Sequence, residues 1–416
     1  MPRLLTTLLG LAALAGPPVS AGGPGAPGTL QVESWALPAT MGGQPDLVRD
    51  AEGGLLLSWL ERTGDGHRLR LARTPDGRRW NAPLTIAEGA DWFVNWADTP
   101  HVHALPDGSL WAHWLRSTGP GRMDYGIDVV RSGDRGATWS APRMVNLEHV
   151  RGDHGFVTFW SQRDDRLGMA WLDSRQKSSH PAHAGKHHAH GHGGGAMMLR
   201  AAVLGADGAT RAEWPLDAST CDCCTTDSAL TASGVVVVYR GRDDEEVRDI
   251  RLTRFDGETW TAPALVHPDG WRIAGCPVNG PAVATDGDTV WVAWYTEAAG
   301  TPEIRIARSD DAGASFGTPV SVAEGTEVLG RVALEAADDA LWLAWLVERP
   351  DGQTLRLARF GSELDEHERV DVARLAARGR ASGLPRLAVH AGAAHLVWTD
   401  VEDGSPVLRG ARAGRR

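Results

Sequence analysis

The sequence predicts an all-β fold, a β-propeller of seven four-stranded blades, with six blades as the alternative if one unit is malformed. The first observation is an aromatic residue that recurs at the end of an apolar, strand-like run. Its copies are Trp59, Trp114, Trp171, Tyr239, Trp294, Trp345 and Trp398. Consecutive copies lie between 51 and 68 residues apart. A period of this size, built from short strands and Gly-rich turns, is typical of propeller blades.

The second observation is that each repeat contains four strand-like segments. In the first repeat they span residues 46–50, 55–61, 68–73 and 84–87. The later repeats begin at His101, Phe156, Ser228, Pro281, Arg331 and Pro385. The last repeat ends after three strands, near Arg412, whereas residues 29–37 form a strand with no repeat of its own. We expect this N-terminal strand to complete the last blade, because such closure removes open sheet edges.

The third observation is a turn motif, S-x-D-x-G-x-x-W. It occurs in full at 132–139, with Phe in place of Trp at 309–316, and one residue shorter at 74–80 and 254–260. An Asp side chain accepts hydrogen bonds from its own turn, Gly supplies positive φ, and the aromatic ring packs back onto the blade. The motif resembles the Asp-box, or BNR repeat, of the sialidase superfamily of β-propellers. In that family the motif is a structural turn, so the resemblance implies a fold and says little about activity.

Charge and the N-terminal segment limit the class of protein. The chain has 416 residues and a formal net charge of -11, which argues against nucleic acid as a partner. Residues 1–21 have the features of a secretory signal, with Arg3, a short apolar run and a small-residue cleavage site. The run is too short to span a membrane. We therefore expect a periplasmic or secreted protein without a transmembrane segment in the mature chain. Residues 22–28 would be a linker and 29–416 the propeller; the oligomeric state stays open.

Strand order predicts which loops share a face. If the first strand of each blade starts on the top face, the links between blades and the second loop of each blade also lie on top. The Asp turns then lie underneath. A His-rich insertion at 174–195, in the third blade, would form a mobile loop on the top face. All four cysteines fall in two adjacent links on that face.

The four cysteines, Cys221, Cys223, Cys224 and Cys276, have several interpretations. Two disulfides would suit an exported protein, and the pairing Cys221–Cys224 with Cys223–Cys276 avoids strained bridges between close neighbours. Closely spaced thiolates also suit Cu(I) or Zn(II). The tight C-x-C-C spacing favours copper, because zinc sites more often use two separated C-x-x-C pairs. Free redox thiols, or one bridge with two metal-binding thiols, are further alternatives.

Histidines on the same face extend the metal hypothesis, because imidazole binds copper, zinc and nickel. The candidates are His154, His187, His188 and His190. The alternatives are a hydrogen-bonded His–Asp pair for His154 and a solvated, low-complexity insertion for the others. Copper or zinc is the cofactor that these residues would imply.

The catalytic set of the sialidase family is not matched by motif. The family binds the sialate carboxylate with three arginines, the first in an R-I-P motif that this sequence lacks. Its nucleophile is a Tyr activated by Glu, with Asp as acid/base. The resemblance leaves as catalytic candidates Asp98, Asp153, Tyr239, Glu246, Arg240 and Arg331. Packing is the preferred interpretation of Tyr239, because other repeats place Trp there.

The ligand-binding candidates on the top face are Trp96, Arg240, Arg248, Asn279 and Arg331. Guanidinium groups and an aromatic ring suit an anionic or hydroxylated ligand, whereas packing and a solvated loop are the alternatives. Three functions stay open. The first is a propeller that binds a small molecule, a glycan or a metal without sialidase activity. The second is an exo-acting glycoside hydrolase of the sialidase type, and the third is a disulfide-stapled propeller that binds a partner.

Overall fold

The computed structural model describes residues 29–146, 151–178 and 196–415. These residues form seven four-stranded antiparallel sheets, the blades of a β-propeller, which confirms the predicted fold and blade number. From the axis outward, the strands of the first three blades are β2 (Gly43–Arg49), β3 (Leu55–Thr63), β4 (Gly66–Thr74) and β5 (Leu84–Gly89); β6 (Val102–Ala104), β7 (Leu110–Ser117), β8 (Tyr125–Ser132) and β9 (Arg143–Met144); and β10 (His154–Gln162), β11 (Arg166–Asp173), β12 (Met197–Leu204) and β13 (Thr210–Thr220).

The remaining blades continue the same order. Their strands are β14 (Asp227–Thr231), β15 (Gly234–Arg240), β16 (Ile250–Phe255) and β17 (Ala264–Leu265); β18 (Ala282–Asp286), β19 (Thr289–Thr296), β20 (Glu303–Ser309) and β21 (Val320–Glu324); β22 (Val328–Ala337), β23 (Ala340–Arg349), β24 (Gly352–Phe360) and β25 (Glu366–Leu375); and β26 (Arg386–His390), β27 (Ala393–Glu402), β28 (Ser405–Gly414) and β1 (Gln31–Ser34).

The N-terminal strand completes the last blade, as the sequence predicted. Strand β1 pairs antiparallel with β28, from Gln31 opposite Gly414 to Ser34 opposite Ala411. One residue further on, the Trp35 N–H donates to the carbonyl of Gly410 at 2.9 Å. Backbone hydrogen bonds between the first and last strands therefore close the ring.

Seven hydrophobic clusters of the described residues fill the spaces between adjacent blades, one at each interface. The second strand of each blade is apolar on both faces because a neighbouring blade covers each face. Its recurrent aromatic residue is 0% exposed at Trp59, Trp171, Trp294 and Trp345. The aromatic period in the sequence is thus the period of packing between blades.

The Asp motifs form tight turns between the third and fourth strands of their blades. The Thr138 N–H donates to Asp134 Oδ1 at 2.8 Å, and the Gly136 N–H donates to Ser132 Oγ at 2.7 Å. Gly136 has a φ of 93°, the left-handed region that glycine tolerates. Asp311 repeats the arrangement, accepting a 2.8 Å hydrogen bond from a backbone N–H. These turns lie on the face opposite the cysteine-bearing links.

Three predictions fall outside the described residues: the secretory signal at 1–21, the linker at 22–28, and the part of the His-rich insertion at 179–195. The insertion begins with the short helix α1 (Arg175–Ser178). No helix of the described ranges is long and apolar enough to cross a membrane.

Candidate functional site

The four cysteines lie on the two links that flank the fourth blade. Cys221, Cys223 and Cys224 belong to the link from β13 to β14, and Cys276 belongs to the link from β17 to β18. The Cys221 N–H donates to the carbonyl of Arg240 at 2.9 Å, which fixes the first link to the end of β15. Strand order had predicted that both links share the top face, and the proximity of Cys276 to Cys223 agrees with this.

The sulfur atoms of Cys221, Cys223 and Cys224 form one compact group. Cys221 Sγ lies 3.4 Å from Cys224 Sγ and 3.8 Å from Cys223 Sγ, and the three atoms all lie within 4.8 Å of one another. Cys276 lies beside this group, and its thiol and that of Cys223 influence each other's pKa. Each of the four cysteines is a free thiol in this structure. The measured sulfur separations are well beyond the roughly 2.05 Å length of a disulfide bond.

Arg248 places a positive charge against this group. Its Nη1 donates to Cys221 Sγ at 3.3 Å and its Nη2 donates to Glu246 Oε2 at 2.7 Å. Glu246 also accepts from Arg242 Nε at 3.1 Å. Glu246 has a φ of 62°, a region that few non-glycine residues occupy. Glu246 thus orients two guanidinium groups, and buried Arg248 offsets negative charge on the Cys221 sulfur.

Hydrogen bonding and burial separate the pKa values of the four thiols. Hydrogen bonds with Cys223 and Cys224, together with the charge of Arg248, hold the pKa of Cys221 well below its usual range. The hydrogen bond with Cys221 raises the pKa of Cys223, and burial raises the pKa of Cys224. The hydrogen bond with Cys223 lowers the pKa of Cys276. This pattern favours the thiolate at Cys221, and the thiolate is the form that binds metal.

Asp222 ties the cysteine-bearing link to the third blade. Its Oδ2 accepts from Lys177 Nζ at 2.8 Å, and Arg242 Nη1 lies 3.8 Å from its Oδ1. Lys177 also lies 3.8 Å from Asp153 Oδ2, which gives that predicted catalytic candidate an ionic partner. Sequence reasoning did not assign a role to Lys177 or Asp222. The one feature of the sequence that pointed to Asp222 was its position within the C-D-C-C tetrapeptide.

His154 lies outside the sulfur group and pairs with Asp173. The two side chains are buried, and His154 Nδ1 lies 3.2 Å from Asp173 Oδ2. Asp173 also accepts from Trp171 Nε1 at 2.9 Å and from Arg175 Nη2 at 2.8 Å. Among the described residues, the group with metal-site geometry consists of cysteines only. The other histidines of the hypothesis lie outside the described residues; they are His187, His188 and His190.

Arg240, predicted as a ligand-binding and catalytic candidate, is buried with its guanidinium hydrogen-bonded to three backbone carbonyls. Its Nε donates to Asn279 O at 3.0 Å, its Nη1 to Arg248 O at 2.6 Å, and its Nη2 to Tyr295 O at 2.7 Å. The guanidinium also stacks on the ring of Trp271 at 4.8 Å. These contacts join the fourth and fifth blades behind the cysteine group.

Three of the other ligand-binding candidates meet near the axis. The Arg331 guanidinium lies 4.9 Å from the ring centroid of Trp96 and donates to Ser382 Oγ at 2.5 Å and Gly379 O at 2.7 Å. Asn279 Oδ1 accepts from the Arg331 N–H at 2.7 Å. Arg331 and Asn279 line the axial cavity, so this contact forms part of its wall.

The axial cavity has a volume of about 530 Å³ and contains a charged group built on Asp46 and His101, to which sequence reasoning had assigned no role. Asp46 Oδ1 lies 3.2 Å from His101 Nδ1 and 3.7 Å from Arg386 Nε. Burial alone would raise the pKa of Asp46, but His101 and Arg386 lower it to about 2. Asp46 Oδ2 accepts from the Val102 N–H at 2.9 Å, so this carboxylate also joins the first two blades. No local motif marked these residues, because they meet only when the ring closes.

Asp98 is the catalytic candidate that lines this cavity together with Arg331. It is buried, and its Oδ1 accepts from the Phe156 N–H at 2.7 Å. Burial, with a smaller effect from Asp153, raises the pKa of Asp98 to about 7. Tyr239 lies elsewhere, fully buried, with its hydroxyl donating to Asp217 Oδ2 at 2.7 Å, which agrees with a packing role.

Comparison with known proteins supports the fold. No protein-family model and no curated protein matches the chain. A protein of unknown function from Dyadobacter fermentans DSM 18053 has a TM-score of 0.50 at 12% identity, over 92% of this chain and 99% of that chain. The polysaccharide lyase Uly1 has a TM-score of 0.52 at 11% identity, over 90% of each chain. The NanB sialidase from Streptococcus pneumoniae has a TM-score of 0.47 at 8% identity, over 87% of this chain and 83% of that chain. The TM-scores of the first two structures indicate a shared fold, and identities this low carry nothing beyond the fold. The sialidase assignment stays a prediction.

Proposed function

We propose that this chain is an exported, metal-binding propeller that holds one copper or zinc ion with Cys221, Cys223, Cys224 and Cys276. The observation that carries the proposal is the spacing of the sulfur atoms, 3.4 and 3.8 Å from Cys221 Sγ. Four thiolates around zinc at about 2.3 Å would lie roughly 3.8 Å apart. Cys221 Sγ is therefore too far from the sulfur atoms of Cys223 and Cys224 for a disulfide and close to the separation that one shared ion requires. Cys276, on the adjacent link, would supply the fourth thiolate.

The surroundings of the cysteines support the same proposal. Thiolates are soft ligands that select copper(I) and zinc over hard cations such as magnesium or calcium. Several thiolates in one place repel each other, and Arg248 at 3.3 Å from Cys221 Sγ offsets part of that negative charge. Glu246 holds the Arg248 guanidinium in place through the 2.7 Å ion pair. Such outer groups commonly tune the affinity of a metal site.

A titration of the reduced protein tests the proposal. We expect one equivalent of Cu(I) or Zn(II) to bind, with the ultraviolet absorption of metal–thiolate bonds rising to a break at a ratio of one. The double variant Cys223→Ser/Cys224→Ser should lose this break. The variant Ser219→Ala, four residues before Cys223, is a matched control that keeps all four thiols. Identical titrations of the wild type and the double variant would contradict the proposal.

A second candidate, a glycoside hydrolase acting in the axial cavity, is favoured by one observation. Asp98 lines the cavity, and its pKa of about 7 suits a general acid near neutral pH. The alternative predicts hydrolysis of sialosides or other glycosides that is lost in Asp98→Asn and kept in the Cys223→Ser/Cys224→Ser variant. A glycoside screen without turnover would leave the metal site as the function.

A further inference from the structure

We propose that Cys276 is the exchange thiol through which copper(I) enters and leaves the cysteine cluster, an inference that rests on the proposed metal-binding function. The four thiols differ sharply in exposure. Cys221 and Cys224 are 1% and 2% exposed, Cys223 is half-buried, and Cys276 is exposed. An incoming carrier can therefore reach Cys276 without opening the fold, whereas it cannot reach Cys221 or Cys224.

The link that carries Cys276 is held at the end that precedes it. Arg272 pairs with Val247 as an isolated β-bridge, and the Ile273 N–H donates to Glu246 O at 3.0 Å. Glu246 is the same residue that orients Arg248, so this end of the link is fixed directly to the wall of the cysteine cluster.

The other end of the link is held equally closely. Asn279 O accepts from Arg240 Nε at 3.0 Å, and Gly280 packs so tightly that an added Cβ would lie 2.2 Å from Thr225 O. Between the two anchors, Val278 has a φ of 50°, a strained conformation for a β-branched residue. The link is thus a short arch, held at both ends, with the Cys276 thiol exposed beside the cysteine cluster.

This gradient of exposure differs from that of a structural zinc site. Structural sites enclose the ion with four ligands and keep it there, whereas an accessible ligand allows exchange. The transfer is a ligand exchange at copper(I) without a change of oxidation state. The bond from copper to the carrier sulfur breaks, a bond to the Cys276 sulfur forms, and any proton from Cys276 passes to the released carrier thiolate. Copper then passes to Cys223 and the buried thiols. The partner is therefore a copper carrier that binds the ion through thiols.

Stopped-flow loading from a Cu(I)–glutathione complex, followed by metal–thiolate absorption, tests this role. In Cys276→Ser we expect one bound copper, as in the wild type, but loading that is roughly tenfold or more slower, because rates of exchange at thiols depend on access. Ala274→Ser, an exposed neighbour on the same arch, should load like the wild type.

The outcomes separate this inference from the function on which it rests. If Cys276→Ser loads at the wild-type rate, or if it binds no copper at all, the exchange role is overturned while the metal site stands. If the wild type itself binds no copper, the metal-binding proposal fails and this inference fails with it. Thermal unfolding of Cys276→Ser, followed by circular dichroism, checks that the variant is folded.

Discussion

The Arg248 Nη1 atom lies 3.3 Å from the Cys221 Sγ atom, inside the top face of the propeller. This contact joins the second loop of the fourth blade to the link that precedes the blade. Arg248 is 4% exposed and Cys221 is 1% exposed, so their interaction is little screened by water. The pair makes the cysteine cluster a charged, buried site.

Replacing Arg248 should make Cys221 harder to deprotonate. The folded pKa of Cys221 is lowered by hydrogen bonds with Cys223 and Cys224 and by the charge of Arg248, so Arg248→Met should shift thiolate formation to higher pH. A pH titration of thiolate ultraviolet absorbance in the metal-free, reduced protein measures this shift. Arg272→Gln removes an exposed arginine paired with Glu245 and is the control. If the titration curves of Arg248→Met and the wild type coincide, the charge of Arg248 does not lower the pKa of Cys221.

The close packing of the two cysteine-bearing links should control metal affinity. A Cβ at position 280 would lie 2.2 Å from Thr225 O, so Gly280→Ala should push the links apart. We expect the affinity for copper or zinc to fall by roughly tenfold, the smaller effect typical of changes just outside the ligands. At Gly275 the nearest atom would be 3.7 Å away, which makes Gly275→Ala a matched control on the same link. Competition with a chelator measures the metal affinity of Gly280→Ala and of Gly275→Ala. An equal loss of affinity in the two variants would contradict the prediction.

The Asp turns should stabilise the blades in a pH-dependent way. Hydrogen bonds from Thr138 and Ser132 lower the pKa of Asp134 to about 2. A lowered folded pKa gives stability that is present above the unfolded value of about 4 and lost as the pH falls through the folded value. Asp134→Ala should therefore lower the melting temperature at pH 7, with a difference that shrinks in acid. Asp310→Ala, at an exposed position before the equivalent Asp311, should change it little. A pH-independent difference would count against this explanation.

The buried pair of Asp173 and His154 should be costly to break. Asp173 is 0% exposed and accepts hydrogen bonds from Trp171 and Arg175, with His154 Nδ1 at 3.2 Å. Asp173 also forms an ion pair with Arg175, and removing one partner of a buried ion pair commonly costs about 3 kcal/mol or more, so Asp173→Asn should lower the free energy of unfolding by about that amount. Asp164→Asn changes a carboxylate that is 78% exposed at the turn of the same blade and serves as control. Chemical denaturation measures the free energy of unfolding of both variants. An Asp173→Asn variant as stable as the wild type would contradict the prediction.

The fold followed from the sequence because its signals are local and repeated. Asp134 marks its turn through contacts within five residues, and Trp345 lies within a strand whose apolar pattern is visible in the chain. The gathering of the cysteines on one face followed from strand order alone. The place of Arg240 could not be predicted, because its carbonyl partners at Asn279 and Tyr295 come from other segments. The same holds for Asp46 and Arg386, which meet only across the closure of the ring.

The most direct test of the account is the metal content of the purified protein, measured by mass spectrometry together with a count of free thiols. The account predicts one equivalent of copper or zinc, thiols that react only after the metal is removed, and loss of the metal in Cys223→Ser/Cys224→Ser. A protein with no metal and no free thiols would contradict it, since the four cysteines would then form two disulfides.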